Sequence, residues 1–497
     1  MPDSSPPNPR LQRFALPLCL LAQACLLLTR LDLLPAWGDE YFTLTTAGLP
    51  LRGLIAAIAA EKNNPPLHTL LLHFWLTIPW PAAPLVAARA LSALFALGAT
   101  LAIDRCWLRQ LDPRPRQWFL LLWTLSPCVL LYARMARSYT LQLLLFTLAL
   151  HAATRLQPRS VRRTLVFAAA ATCLLYTHYL PGLALVAAVV LVAALRTRQT
   201  GLLAPVLAGS ALVAVAYVPW TPELWVALHR MAQAQPSAPA VVRLGYWFFS
   251  FGFGETPPLW VLASAALLAP EVLYLLWKGA SRPPAWLMLI APVAIAAYLG
   301  AGRWVSFVFV PARLLFLLPF FLLLVVNGAT RSRCAGLVVL AALLCLSAGS
   351  IAGYFRQSDF LNKAYLLPYA EIASLINQRT GVERSVVIAD TWNTDPYPLA
   401  GQLRPGIPLI LVSRESTLSS LRQRVAAVDP GLVWYFRNAH DTSPGGINKR
   451  MEDELAAGRQ VRPRFYVPYS RRDQIMMRLL GWPQQPSHLI QLLEIQR

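Results

Sequence analysis

The sequence is poor in charge. Asp, Glu, Lys and Arg together make up 13% of it, about half of what a soluble domain carries. Acidic residues are the scarcer kind, 23 against 44 Lys and Arg, which leaves a net charge of +21. Paired cysteines are lacking too. Cys19, Cys25, Cys106, Cys128, Cys173, Cys334 and Cys345 lie in or beside apolar runs, with no C-x-x-C among them. That spacing offers neither a zinc site nor a disulfide framework. No G-x-G-x-x-G and no P-loop occurs, so nothing points to nucleotide binding. Internal repeats are absent, and low complexity is confined to the Pro/Ser-rich first nine residues.

What is there is apolar. Hydrophobic residues make up 56% of the chain, and the mean hydropathy is +0.48. Both values describe a multipass membrane protein. The run Phe14 to Leu34 is about the length of one spanning helix. Arg10 and Arg13 precede it, which puts the N-terminus in the cytoplasm. No small-residue cleavage site follows the run, so it reads as a retained helix. Leu49 to Ala88 reads as helices along the outer interface, anchored by Trp75 and Trp80. Ten further apolar runs follow, from Arg89–Ile103 to Leu337–Ile351, and they include Trp118–Leu131 and Trp286–Leu299. Basic residues mark each inner loop, so much of the net charge is a topology signal and not a nucleic-acid footprint. The expectation is an α-helical bundle of about 11 spans over residues 1–353, in the plasma (bacterial inner) membrane. An odd number of spans puts residues 354–497 outside. There, strand-like Ser385–Ala389, Ile407–Val412 and Gly431–Phe436 alternate with helix-like Tyr365–Gln378, Thr417–Ala427 and Lys449–Ala456. The alternation predicts an exported α/β domain with a largely parallel sheet.

This topology gathers ionisable groups at the outer face. Trp37-Gly38-Asp39-Glu40-Tyr41 follows the first run, and Asn64-Pro65-Pro66-Leu67 with His68 comes next. Tyr132-Ala-Arg134-Met-Ala-Arg137-Ser-Tyr139 is a basic, aromatic turn that breaks the positive-inside pattern and needs a reason. His178, Glu255, Arg303 and Arg313 complete the set. A carboxylate beside cations at a water–lipid boundary suits one reaction well. The carboxylate takes a proton from an attacking hydroxyl, and the arginines hold a phosphate as it leaves. Duller roles suit the same residues: Arg134 and Arg137 can snorkel to headgroups, His178 can end a helix, and the aromatics can form an interfacial belt.

The motifs resemble the D-E and H-P-P-L (or K-P-P-L) signatures of the GT-C membrane glycosyltransferases. The resemblance is to the protein O-mannosyltransferase and lipid A aminoarabinose transferase superfamily, with its bacterial lipopolysaccharide-core members. The basic turn, Thr177-His178-Tyr179 and Val310-Pro-Ala-Arg313 are similar to further stretches of that family. Strongest over residues 35 to 180, the likeness implies an inverting transfer of a sugar from a polyprenyl-phosphate carrier to an acceptor hydroxyl on the outer face. Asp39 would be the general base and Glu40 its neighbour. Arg134, Arg137, Tyr139, Asn64, His68, His178 and Arg313 would face the carrier phosphate or substrate. Asn64 stands where the family often has His or Lys, so a charged contact to the carrier phosphate is either missing or moved to His68. Leu314 replaces the usual Tyr after Arg313.

The donor is then a lipid-linked sugar. The acceptor is a glycan, a lipid or a protein; membrane lipids are partners and nucleic acid is not. No metal-ligand cluster stands out, so catalysis without a metal is expected and a divalent cation is left open. Two other classes compete. A transporter or flippase would place ionisable groups near mid-membrane and show repeated halves. An assembly factor would use the α/β tail to bind a partner and the bundle only as an anchor.

Overall fold

In the computed structural model the described residues are 9–61, 65–196, 201–233, 239–281, 293–294, 311–379, 384–391, 396–413, 415–439, 443–479, 481 and 486–496. Asn64, Arg303 and most of the Trp286–Leu299 run lie outside them. The chain divides into two compact units, one of residues 1–31 with 43–352, the other of 32–42 with 353–497.

The first unit is helical. Its helices in order are α1 (Pro9–Leu28), α2 (Gly38–Ala47, which straddles the division), α3 (Leu51–Glu61), α4 (Leu67–Leu76) and α5 (Pro84–Cys106). Next come α6 (Pro113–Thr124), α7 (Pro127–Ala133), α8 (Tyr139–Thr154), α9 (Val161–Leu175) and α10 (Tyr179–Leu195). The last are α11 (Leu203–Tyr217), α12 (Thr221–Gln233), α13 (Ala240–Phe253), α14 (Leu259–Ala280), α15 (Leu318–Arg331) and α16 (Arg333–Phe355). Among the described residues, five helical stretches are long and apolar enough to cross a membrane: Pro84–Gln110, Leu203–His229, Leu259–Ala280, Pro311–Arg331 and Cys334–Phe355. Five shorter apolar helices accompany them.

The expected single run Trp118–Leu131 is two helices. Pro127 lacks the N–H that would continue α6. Ser126 turns the break into a fresh helix start, its hydroxyl accepting from the Val129 N–H at 3.3 Å. The residues after the break carry the basic turn, so this interruption sets where the turn begins.

The second unit is an α/β fold. Its strands are β1 (Ser385–Asp390), β2 (Leu409–Val412), β3 (Leu432–Asn438), β4 (Gln460–Pro468) and β5 (His488–Gln496). They lie in the order β2-β1-β3-β5-β4. β1 pairs parallel with β2 and β3, as the alternating pattern predicts, while β5 and β4 add antiparallel at one side. β4 escapes a sequence reading because it is Arg-rich and exposed along most of its length, with none of the apolar alternation that marks a half-buried strand. Side chains alternate between two cores, as the two-residue period requires. Val387, Ala389, Trp434 and Phe436 pack against α17 (Tyr369–Arg379). Val386, Ile388, Val433 and Tyr435 pack against α19 (Leu418–Val428) and α20 (Ile447–Ala456); the short α18 (Tyr397–Ala400) lies between α17 and α19 in the chain.

Candidate active site at the arginine turn

Arg134 and Arg137 sit three residues apart and do different work. Arg134 is 2% exposed. Its Nη1 donates to the carbonyls of Leu26, Leu27 and Thr29 at 2.8, 3.0 and 2.7 Å, and its Nη2 to that of Arg30 at 2.5 Å. Leu26 and Leu27 belong to the last turn of α1, whose carbonyls a helix end leaves without partners, and Thr29 and Arg30 to the turn that follows. A cation there also meets the negative end of the helix dipole. Arg134 therefore holds α1 to the turn.

Arg137 points elsewhere. Its Nη1 donates to Thr43 Oγ1 at 2.8 Å, and its guanidinium lies 5.9 Å from the centre of the Tyr139 ring. Thr43 is on α2 one helical turn after Asp39, a neighbour that no motif marked. The turn's backbone is fixed to α5, since Ser92 Oγ donates to the Arg137 carbonyl at 3.4 Å and Thr140 Oγ1 to the Ser92 carbonyl at 2.7 Å.

The other expected residues of this unit converge on Arg137. His68 opens α4, is buried, and lies in the field of Arg137. Burial, with Arg137 adding to it, pulls the imidazole down to about 3, so it is neutral across physiological pH. Its Nε2 is buried with no hydrogen-bond partner. His178 precedes α10, where its Nδ1 accepts from the Leu180 N–H at 3.3 Å. Burial first, then Arg313 and Arg137, lower it too, to about 3. The Leu67 N–H donates to the Tyr176 carbonyl at 2.9 Å, which ties the Pro65-Pro66-Leu67 segment to the chain just before His178.

Arg313 lies in the 3-10 turn Pro311–Leu317. Its carbonyl accepts from Gln142 Nε2 at 3.2 Å, while Gln142 Oε1 is buried without a partner. Among the described residues no carboxylate pairs with the Arg313 guanidinium. Arg137, Arg313, His68, His178 and Tyr139 thus make a cationic site walled by neutral imidazoles. An anion with several acceptor oxygens would satisfy both the charge and the orphaned His68 nitrogen.

Glu255, outside the expected site residues, is buried in the link between α13 and α14. It accepts from the hydroxyl of Tyr132 and, at 3.4 Å, from that of Tyr246. Burial raises its carboxyl to about 7, with the two tyrosine hydrogen bonds opposing the rise. Tyr132 stacks edge-on against Tyr139 at 5.5 Å, so Glu255 braces the same turn.

The acidic motif belongs to the second unit and opens α2. Asp39 and Glu40 lie in its first turn, where the helix dipole favours negative charge. Glu40 is fully buried and Asp39 half-buried. Asn64 is outside the described residues. Among the described residues no group of three or more His, Cys, Asp or Glu comes together to hold a metal ion.

The fold has solved counterparts. The crystal structure of ArnT from Cupriavidus metallidurans bound to undecaprenyl phosphate matches with a TM-score of 0.53, covering 97% of this chain and 98% of that one at 14% identity. Its apo form matches with a TM-score of 0.55 over the same shares and at the same identity. The chain has the GT-C fold of ArnT. At this identity the likeness to ArnT is one of fold. It extends through the C-terminal sheet domain as well as the helices, because the match spans both chains almost end to end. No family model and no curated protein matches the sequence.

Proposed function

We propose that the chain is an integral membrane glycosyltransferase that moves a sugar from a polyprenyl-phosphate carrier to an acceptor hydroxyl, with inversion, on the outer face of the inner membrane. One observation carries the reading: a cationic site of Arg137 and Arg313, lined by the neutral His68 and His178, in a fold whose solved ArnT counterpart was crystallised with undecaprenyl phosphate. An arginine pair suits a phosphate leaving group because guanidinium matches its oxygens in shape and charge.

The reaction is a single displacement. The acceptor oxygen attacks the anomeric carbon and forms the new glycosidic bond. The bond from that carbon to the phosphate oxygen breaks, and its electron pair leaves with the carrier phosphate. The acceptor's proton passes to the Asp39 carboxylate. Arg137 and Arg313 stabilise the charge that grows on the phosphate. Arg134, occupied at the end of α1, keeps the turn in place. Glu40 holds the first turn of α2.

The test is purified protein supplied with a polyprenyl-phosphate sugar, with release of the lipid phosphate as the readout. Asp39→Asn keeps the shape and removes the base; the rate should fall about a hundredfold to ten-thousandfold. A wild-type rate would end the assignment. Mass spectrometry of envelope glycans from cells with and without the gene would name the sugar and its acceptor.

A further inference from the structure

Residues 32–42 are sequence neighbours of α1, yet they form one compact unit with residues 353–497. Among the described residues, three contacts of that attachment fall at every fourth residue. Gln357 Nε2 donates to the carbonyl of Leu33, 324 residues away in the chain. The Trp37 ring meets Tyr365 edge-on at 5.1 Å. The hydroxyl of Tyr41 lies where a Cβ on Gly401 would be, so only glycine fits at 401 while Tyr41 keeps its place. Leu33, Trp37 and Tyr41 are thus all held, and Asp39 and Glu40 lie inside the last interval.

The partners are themselves pinned. Tyr365 rides on the 3-10 turn Lys363–Leu366, whose Lys363 pairs with Asp473 at 2.6 Å. Asp473 also binds Arg472 at 2.6 Å. Arg472 donates to the carbonyls of Asp359 and Phe360, and Ser470 Oγ donates to Asp359 Oδ1 at 2.7 Å. Gln357 is the left-handed cap of α16, φ 54°, its N–H donating to the Tyr354 carbonyl and the Ser358 N–H to that of Gly353, both at 3.0 Å, so the end of that helix sets where the Gln357 side chain starts.

We infer that the C-terminal α/β unit is the seat of the acidic motif, with Gln357, Tyr365 and Gly401 as positioning residues that fix Asp39. This inference rests on the proposed role of Asp39. It gives the C-terminal domain a task in the reaction. A side chain at 401 pushes Tyr41 away and turns the first helical turn of α2. A displacement of about 1 Å at a reacting group costs on the order of a hundredfold in rate.

The test uses the full chain in detergent or nanodiscs, with a polyprenyl-phosphate sugar as donor. Gly401→Leu should lower kcat about a hundredfold, leave the donor KM within about twofold, and speed amide exchange in a peptide covering 32–47. Exchange in β1 and β3 should not change. Gln357→Gly guards against misfolding: glycine accepts the left-handed backbone, so stability holds while kcat falls and the same peptide loosens. Gly401→Ala should slow the enzyme less than Gly401→Leu, and adding Tyr41→Phe to it should restore part of the loss, because the clashing atom is the Tyr41 hydroxyl. Unchanged exchange at 32–47, or faster exchange with wild-type kcat, overturns the inference. If Asp39→Asn keeps the wild-type rate while Gly401→Leu still loosens 32–47 and lowers kcat, the base assignment falls and the seat stands.

Discussion

The arginine turn and the acidic motif are both polar stretches beside apolar runs, and they are mounted in opposite ways. The turn is held by its own unit. Arg134 caps α1, the Arg137 carbonyl is bound to α5, and Tyr132 is braced by Glu255. The acidic motif is held by residues 357, 365 and 401, far along the chain. A cation that stabilises a leaving phosphate can be built into a rigid bundle. The carboxylate is mounted instead on a second folding unit with its own core. If both are needed for one reaction, its rate depends on the folding of each.

The largest effect expected from breaking this pairing is at the acidic end, where Asp39→Asn removes the base and about a hundredfold to ten-thousandfold of the rate. Next come the two arginines, which separate structure from chemistry. Arg134→Ala leaves the carbonyls of Leu26, Leu27, Thr29 and Arg30 without their donor. Each charge-assisted bond contributes about 1.5–3 kcal/mol, so even partial loss should cost about 3 kcal/mol of stability, read as a lower Tm. Arg137→Ala should leave Tm nearly unchanged and raise the donor KM about tenfold to a hundredfold. Equal Tm losses in the two variants would erase the distinction between cap and ligand.

Glu255 gives a pH test of the brace. Its folded carboxyl titrates at about 7, above the ordinary 4.5. The folded state therefore binds the proton more tightly than the unfolded chain does. Its contribution to stability is fully present below pH 4.5 and is lost as pH rises toward 7, where the buried group is forced to ionise. The difference in stability between wild type and Glu255→Gln should therefore shift by about 2 kcal/mol against the wild type between pH 5 and 7, measured by thermal unfolding of both at each pH. The buried neutral His68 and His178 add stability over the same window in both proteins alike, so the difference and not either curve reports Glu255.

Much of the candidate site at the arginine turn was legible in the sequence. Ionisable side chains in apolar surroundings are conspicuous because they are costly there, so Asp39, Arg137, His178 and Arg313 stood out. The parallel strands β1 to β3 were legible from their apolar runs. What escaped was whatever depended on long-range packing. Thr43 and Gln142 are ordinary helix residues until Arg137 and Arg313 lie beside them. Gly401 and Gln357 carry no motif, and their role exists only because the chain returns to residues 33–41. Arg134 was expected beside Arg137 at the phosphate, since nothing in their spacing says which one meets the end of α1.

The smallest effect concerns His68, and it sharpens the contrast between charge and hydrogen bonding at the phosphate end. With Asn64 in the position where the resemblance expects His or Lys, His68 was the nearest candidate to carry the missing positive charge. Burial and Arg137 oppose that role by holding its imidazole neutral until about pH 3. A neutral ring with an unpartnered Nε2 can still offer one hydrogen bond to a phosphate oxygen. One such bond is worth about 1 kcal/mol. His68→Ala should therefore raise the donor KM about fivefold, and His68→Gln, which keeps a donor, should raise it less. Between pH 5 and 8 the donor KM of the wild type should show no step that His68→Gln abolishes. Such a step near 6.5 would mean that His68 carries charge in the working enzyme and that the phosphate, once bound, reverses the effect of Arg137.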